Sequence, residues 1–282
     1  MLKSFAMIVG SLVVLATGVA QAQTPAAADA PATPAAPAEP EKETWKGPFG
    51  GTFTASFTAA TDYSYRGISQ NQRQPVGQVG IGYETPQAAA NIPVTAYLGA
   101  WGSNISFAPN TSGASVEIDL LAGLRAKFMN DKLTFDLGYI RYNYPGTAQY
   151  TYFDFNEFGL VAAYDFDIVA VSAAIRYSPN FFGNSGIGWY KWAQLTVPLP
   201  FIKINENVTF KLFGTLGSQY VERPANYGIP NNDYWDWQVG LTASAWGFDL
   251  TAAYVSTNIS SDNCGFTQNC AGRAIVSLTK TF

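Results

Sequence analysis

Residues 114–128 read ASVEIDLLAGLRAKF, and the stretch separates into two faces. Ala114, Val116, Ile118, Leu120, Ala122, Leu124, Ala126 and Phe128 form an apolar row, with Ser115, Glu117, Asp119, Gly123, Arg125 and Lys127 between them. A two-residue period is that of a β-strand with unlike solvents on its two sides. All the charge lies on one face. At about 3.3 Å per residue, a strand of this length tilted near 45° spans the hydrocarbon of an outer membrane.

The same alternation appears upstream in GTFTASFTAATDY (51–63), QVGIGYE and VTAYLGAW. Downstream it returns in TFDLGYIRY, FGLVAAYDF, IVAVSAAIRYS, WAQLTV, NVTFKLFGTLGS, WDWQVGLTASA, FDLTAAYV and RAIVSLTKTF. That makes about twelve strands, an even number, as single-chain barrels have. Tight connections near residues 129, 166 and 247 alternate with long polar ones such as SPNFFGNSGIG and SQYVERPANYGIPNND. The expected fold is therefore all-β: a closed antiparallel transmembrane β-barrel with short periplasmic turns and long extracellular loops. The connections around Pro86 to Pro93 and Pro198 to Asn207 are longer than tight turns. A secreted β-sandwich also alternates, but it does not keep charge off one face of so many strands.

Aromatic residues gather where strands meet loops: Tyr63 and Tyr65; Tyr139, Tyr142 and Tyr144; Trp189, Tyr190 and Trp192; Tyr234, Trp235 and Trp237. Interfacial girdles are the expected role. For Tyr190, Trp192, Tyr97 and Trp101, narrowing the lumen is an equal alternative, because parity in those strands is not clear.

The chain begins with Lys3, an apolar run from Phe5 to Ala20 and a small-x-small site at Ala20–Ala22, so residues 1–22 read as a secretory signal peptide. Residues 23–48 are mostly Ala/Pro-rich and read as a flexible leader, and residues 49–282 as the barrel. Loss of Lys3 takes the formal net charge from −4 to −5, and the pI is about 4.8, so no basic footprint for nucleic acid exists. Cys264 and Cys270, in a Gly/Asn/Ser-rich loop of an exported chain, read as a disulfide closing that loop.

The chain has no histidine, so it lacks the usual general base. Glu117 and Asp119 read as lumen polarity opposite Arg125 and Lys127 rather than as a catalytic pair. No phosphate loop, calcium loop or nucleophile elbow occurs, and neither enzyme activity nor a cofactor is expected.

TASFTAATDYSYRGISQ, AYLGAWGSNISF, VEIDLLAGLRAKF, LTFDLGYIRYNYPG, AWGFDLTAAYVSTN and VSLTKTF together resemble the TorF family of outer-membrane porins, from about Phe53 to Phe282. The segment Tyr65 to Ser69 is the most specific part. The resemblance implies a porin-like barrel in the bacterial outer membrane, surrounded by lipid, with no assigned solute. Likeness to bacterial barrels in general implies that Phe282 is a signal to the barrel-assembly machinery, with Lys280 a departure from the apolar series before it. Porins are often trimers, and no sequence feature decides for or against a homo-oligomer.

By parity the inward, pore-lining residues are Asp62, Arg66, Glu117, Asp119, Arg125, Lys127, Asp136, Glu157, Arg176 and Lys211. Both signs are present, which implies weak charge selectivity, and twelve strands imply a narrow path. The expected function is passive diffusion of small hydrophilic solutes. The alternative is a closed barrel with a structural or surface-recognition role, its lumen plugged by Arg–carboxylate networks. In that frame Tyr63 and Tyr65 belong to the outer girdle, residues 68–74 form a surface loop, and Arg66 sits at the mouth as a rim clamp or solute filter.

Overall fold

The computed structural model describes residues 45–89, 92–107, 113–265 and 267–282. The segment read as a signal peptide, and the leader as far as residue 44, lie outside the described residues. Trp45–Lys46, at the leader's end, pairs with Phe53 and Thr52.

Twelve long strands follow in chain order: β1 Thr52–Ala60, β2 Val76–Glu84, β3 Val94–Asn104, β4 Val116–Phe128, β5 Leu133–Asn143, β6 Phe155–Asp165, β7 Ala170–Ser178, β8 Gly188–Pro198, β9 Thr209–Val221, β10 Asp233–Ala245, β11 Phe248–Thr257 and β12 Arg273–Thr281. Each pairs antiparallel with its sequence neighbours. The ring closes where β12 pairs β1, Thr281 opposite Ser56 and Ser277 opposite Ala60. Closure leaves no unpaired edge, which is what a sheet needs in hydrocarbon. No described helix is long and apolar enough to cross a membrane.

The barrel is apolar outside and mostly polar inside. Val79, Ile81, Leu98, Leu120, Leu124, Leu137, Leu160, Leu195, Leu216, Val239, Leu250 and Leu278 all point outward and are exposed. So continuous an apolar band would make a water-soluble particle aggregate; in a bilayer it is the lipid-facing belt. Buried Thr, Gln, Ser and charged side chains take most of the alternate positions, with apolar clusters among them at Phe213, Ala253, Val255 and Ile275 and at Val161, Ala174, Tyr190 and Trp192. A sandwich would reverse this pattern, with apolar residues between two sheets and polar ones outside.

The long connections, 61–75, 105–115, 144–154, 179–187, 222–232 and 258–272, lie at one end. Both chain termini of the barrel and the remaining connections lie at the other: 129–132, 166–169 and 246–247 are tight turns, whereas 85–93 and 199–208 are longer, as their sequences indicated. Lys280, the apparent misfit in the last strand, sits at the short-turn rim. Its ammonium donates to the Trp246 carbonyl at 2.8 Å and lies 4.4 Å from the centre of the Phe248 ring. The long side chain thus reaches the interface from an apolar face.

The aromatic girdle differs from expectation. Tyr139, Trp189, Trp235 and Trp237 share the outward parity, but Tyr63, Tyr65, Tyr142, Tyr144, Tyr190, Trp192 and Tyr234 are buried. Near the mouth every second strand aromatic faces inward, and there those rings pack on a piece of chain that the strand pattern does not reveal.

Candidate functional site

That piece is the first long loop. β1 ends at Ala60, and the chain then turns into the lumen as a small hairpin in which Ser64 pairs Ser69 and Tyr65 pairs Ile68. Its two turn residues, Arg66 and Gly67, both have positive φ, +48° and +83°. Two-residue turns of this handedness match the twist of the strands they join. Residues 68–74 are therefore not simply a surface loop, and Tyr63 and Tyr65 are not girdle residues. Parity was carried past Ala60, where the ladder that defines it has ended.

The hairpin reaches walls all round the bore. Tyr63 donates its hydroxyl to Glu117 Oε1 on β4 at 2.9 Å, and its ring meets Trp101 of β3 edge-on at 5.5 Å. Burial first, then the charges of Glu117 and Asp119, hold this hydroxyl well above the usual tyrosine range, so it remains a neutral donor. Asp62 pairs with Arg273 of β12 and accepts from Ser69 Oγ at 2.6 Å. Gly67 presses on the opposite wall: a Cβ there would collide with Thr257 and lie 2.9 Å from Asp236 Cβ. Positive φ and lack of space both require glycine.

Arg66 occupies the centre of this arrangement. Its Nη2 donates to both carboxylate oxygens of Glu157 on β6, at 2.6 and 2.5 Å, and its Nη1 donates to Gln219 Oε1 on β9. The guanidinium lies 4.1 Å from the centre of the Tyr190 ring, 4.6 Å from Tyr65 and 5.4 Å from Phe181. It is 2% exposed. A rim clamp to carboxylates of adjacent strands was expected; the partner instead comes from across the barrel. Tyr142 adds a hydrogen bond to Glu157 at 3.1 Å, and Tyr190 one to Asp236 at 3.1 Å. The Tyr190 hydroxyl can reach Asp236 because Gly217, between them, has no Cβ.

Outer loops meet above the hairpin. Phe153 stacks on Phe182 at 4.3 Å between ring centres, and Phe107 meets both edge-on at 5.3 and 5.5 Å. Phe181 packs on Phe155 at 4.8 Å and on Tyr227 at 5.0 Å. The Cys264–Cys270 disulfide, present as the sequence indicated, closes a loop beside them. That loop grips the hairpin through its carbonyls: Asn269 O accepts from Ser69 N at 2.9 Å and Ala271 O from Arg73 Nη2 at 3.0 Å.

A second charged layer lies toward the short-turn end. Arg125 on β4 donates to Glu84 of β2 at 2.9 Å and to Asp136 of β5 at 3.2 Å, and Tyr97 of β3 donates to Asp136 at 2.8 Å. Lys127 and Lys211 share the interior parity of β4 and β9. Arg176, buried on β7, lies higher, opposite Tyr190 in register, and packs along Gly159. The far wall carries Lys211, the buried Phe213 and two hydroxyl pairings: Thr215 bonds Gln194 at 2.9 Å, and Thr242 bonds Thr251 at 2.9 Å.

Of the ten residues read as inward, eight point into the bore from strands, while Asp62 and Arg66 reach it on the folded-in loop. Tyr97, Trp101, Tyr190 and Trp192, whose parity was open, all point inward. Missed were Glu84, Gln219, Asp236 and Arg273. Each alternates correctly in its strand or begins one, so parity could have found them. The hairpin had a fainter signal, the Arg-Gly pair between short β-prone dipeptides.

The family model described as a bacterial protein of unknown function (Gcw_chp) matches residues 43–282. No curated protein matches. Among solved structures, the KdgM porin is 9% identical, with 81% of this chain and 99% of that chain covered and a TM-score of 0.47. An outer membrane channel from Pseudomonas putida F1 is 11% identical, covering 87% and 100%, with a TM-score of 0.42. LpxR from Salmonella typhimurium is 11% identical, covering 81% and 99%, with a TM-score of 0.42.

Proposed function

The chain belongs to the Gcw_chp family of bacterial proteins, and we propose that it is an outer-membrane channel for small hydrophilic solutes, with a narrow charged lumen and an outer mouth occupied by its own first loop. The observation that carries this reading is the predominance of polar side chains on the wall below the hairpin, which continues past the buried cluster of Phe213, Ala253, Val255 and Ile275. Arg125, Glu84, Asp136, Lys127, Lys211 and the Thr/Gln wall face a bore that a purely structural barrel could fill with apolar side chains. The mixed charge favours weak selectivity in this lower part. Likeness of the Tyr65–Ser69 segment to TorF porins supports the same function, and Phe282 at the end of β12 suits recognition by assembly machinery.

A second reading is favoured by the hairpin itself. Arg66–Glu157 and the stacked aromatics form one cross-barrel layer, the arrangement expected of a plug. In that case the barrel is closed and its loops do the work. Purified protein in planar bilayers decides between them: the channel reading expects discrete single-channel steps, and a folded barrel that stays silent at all voltages supports the closed form.

A further inference from the structure

The surroundings of Arg66 have the chemistry of a ligand site. A guanidinium needs a carboxylate for two-point pairing, a further acceptor, and aromatic faces for its flat cation. Glu157 supplies the first, Gln219 the second, and the Tyr190 ring a face 4.1 Å away. All three come from the rigid wall, on β6, β9 and β8. Only the cation comes from a loop.

The wall also carries more carboxyl groups than Arg66 uses. Both carboxylate oxygens of Asp119, which is fully buried, find no hydrogen-bond partner among the described residues, and neither does Asp236 Oδ2. With Glu117 and Glu157, four carboxylates ring this layer, whereas the buried cations beside them are Arg66 and Arg176. If the hairpin left, a cage for an organic cation would remain, with one wall cation, Arg176, beside four carboxyl groups.

We propose that the Glu157–Gln219–Tyr190 wall binds guanidinium-bearing small solutes, and that Arg66 occupies this site as a tethered competitor which such solutes displace. The inference deepens the channel reading by naming its solute class; binding itself does not depend on flux. A loop-borne competitor acts at a local concentration in about the millimolar range. Small guanidinium compounds should therefore displace it only at comparable concentrations.

Ethylguanidinium is the probe, and ethylurea its neutral isostere. In the detergent-solubilised wild type, chymotrypsin should cut after Tyr65 severalfold faster with millimolar ethylguanidinium than with ethylurea. Arg66→Ala should bind ethylguanidinium at least tenfold more tightly than wild type by calorimetry, and Glu157→Gln added to it should abolish binding. In bilayers, the probe should block Arg66→Ala currents. Currents without binding or block would overturn the inference and leave the channel standing; binding without currents would leave the site and overturn the channel. If Arg66→Ala does not fold, equal cleavage of wild type in the two compounds overturns the inference.

Discussion

The lumen holds two arginine–carboxylate layers of similar chemistry and different attachment. In the inner layer Arg125 belongs to β4 and pairs with Asp136 on the next strand and Glu84 nearby, so every partner is part of the wall. In the outer layer Arg66 rides on an inserted hairpin and pairs with Glu157 from across the bore. Breaking the inner layer leaves buried charge that cannot escape. Breaking the outer one lets the hairpin move out to water. An ion pair within the wall stabilises the barrel, while one between loop and wall sets a position that can change.

The largest effect on the barrel is thus expected from Arg125→Gln. It strands Asp136 and Glu84, at a cost of about 3–5 kcal/mol. The temperature at which the folded band disappears on unboiled gels should fall clearly, with chymotrypsin protection of Tyr65 unchanged at lower temperature. Glu157→Gln should do the reverse. Hairpin release limits its cost, so the melting shift should be smaller than for Arg125→Gln, while cleavage after Tyr65 becomes rapid. If both variants shift melting equally and neither exposes Tyr65, the distinction between the layers fails.

Opening the Cys264–Cys270 loop sharpens the same contrast. Closing a loop this short contributes about 2 kcal/mol in the chain-entropy account. Its carbonyls hold Ser69 and Arg73, so the Cys264→Ser/Cys270→Ser variant should weaken hairpin protection without altering the inner layer, as read by the same proteolysis. Smallest of all is Lys132→Ala, which removes an exposed pair with Asp167 in a short turn. No resolvable change in gel mobility or melting is expected.

What the sequence revealed follows the same division. The inner pair Arg125–Asp136 lies in one hairpin, where a four-residue turn carries register from strand to strand, and parity placed both residues inside. Alternation likewise made Glu117, Asp119, Glu157 and Arg176 legible, since each lies within an unbroken ladder. The outer layer was not legible. Arg66 and Glu157 are 91 residues apart, and no local pattern states which height of β6 meets the tip of a loop. Tyr63 and Tyr65 were misplaced for the related reason that their alternation continues after the hydrogen-bonded ladder stops. Inward and outward lose their meaning once the chain leaves the wall.

The central claim is that the hairpin, not the wall, closes a polar bore. Its most direct test compares single-channel conductance of the wild type with a variant in which residues 64–69 are replaced by a Gly/Ser linker of equal length, both first shown to be folded on unboiled gels. The account predicts that the linker variant conducts severalfold more than the wild type. Equal conductance, or silence in both, would contradict it.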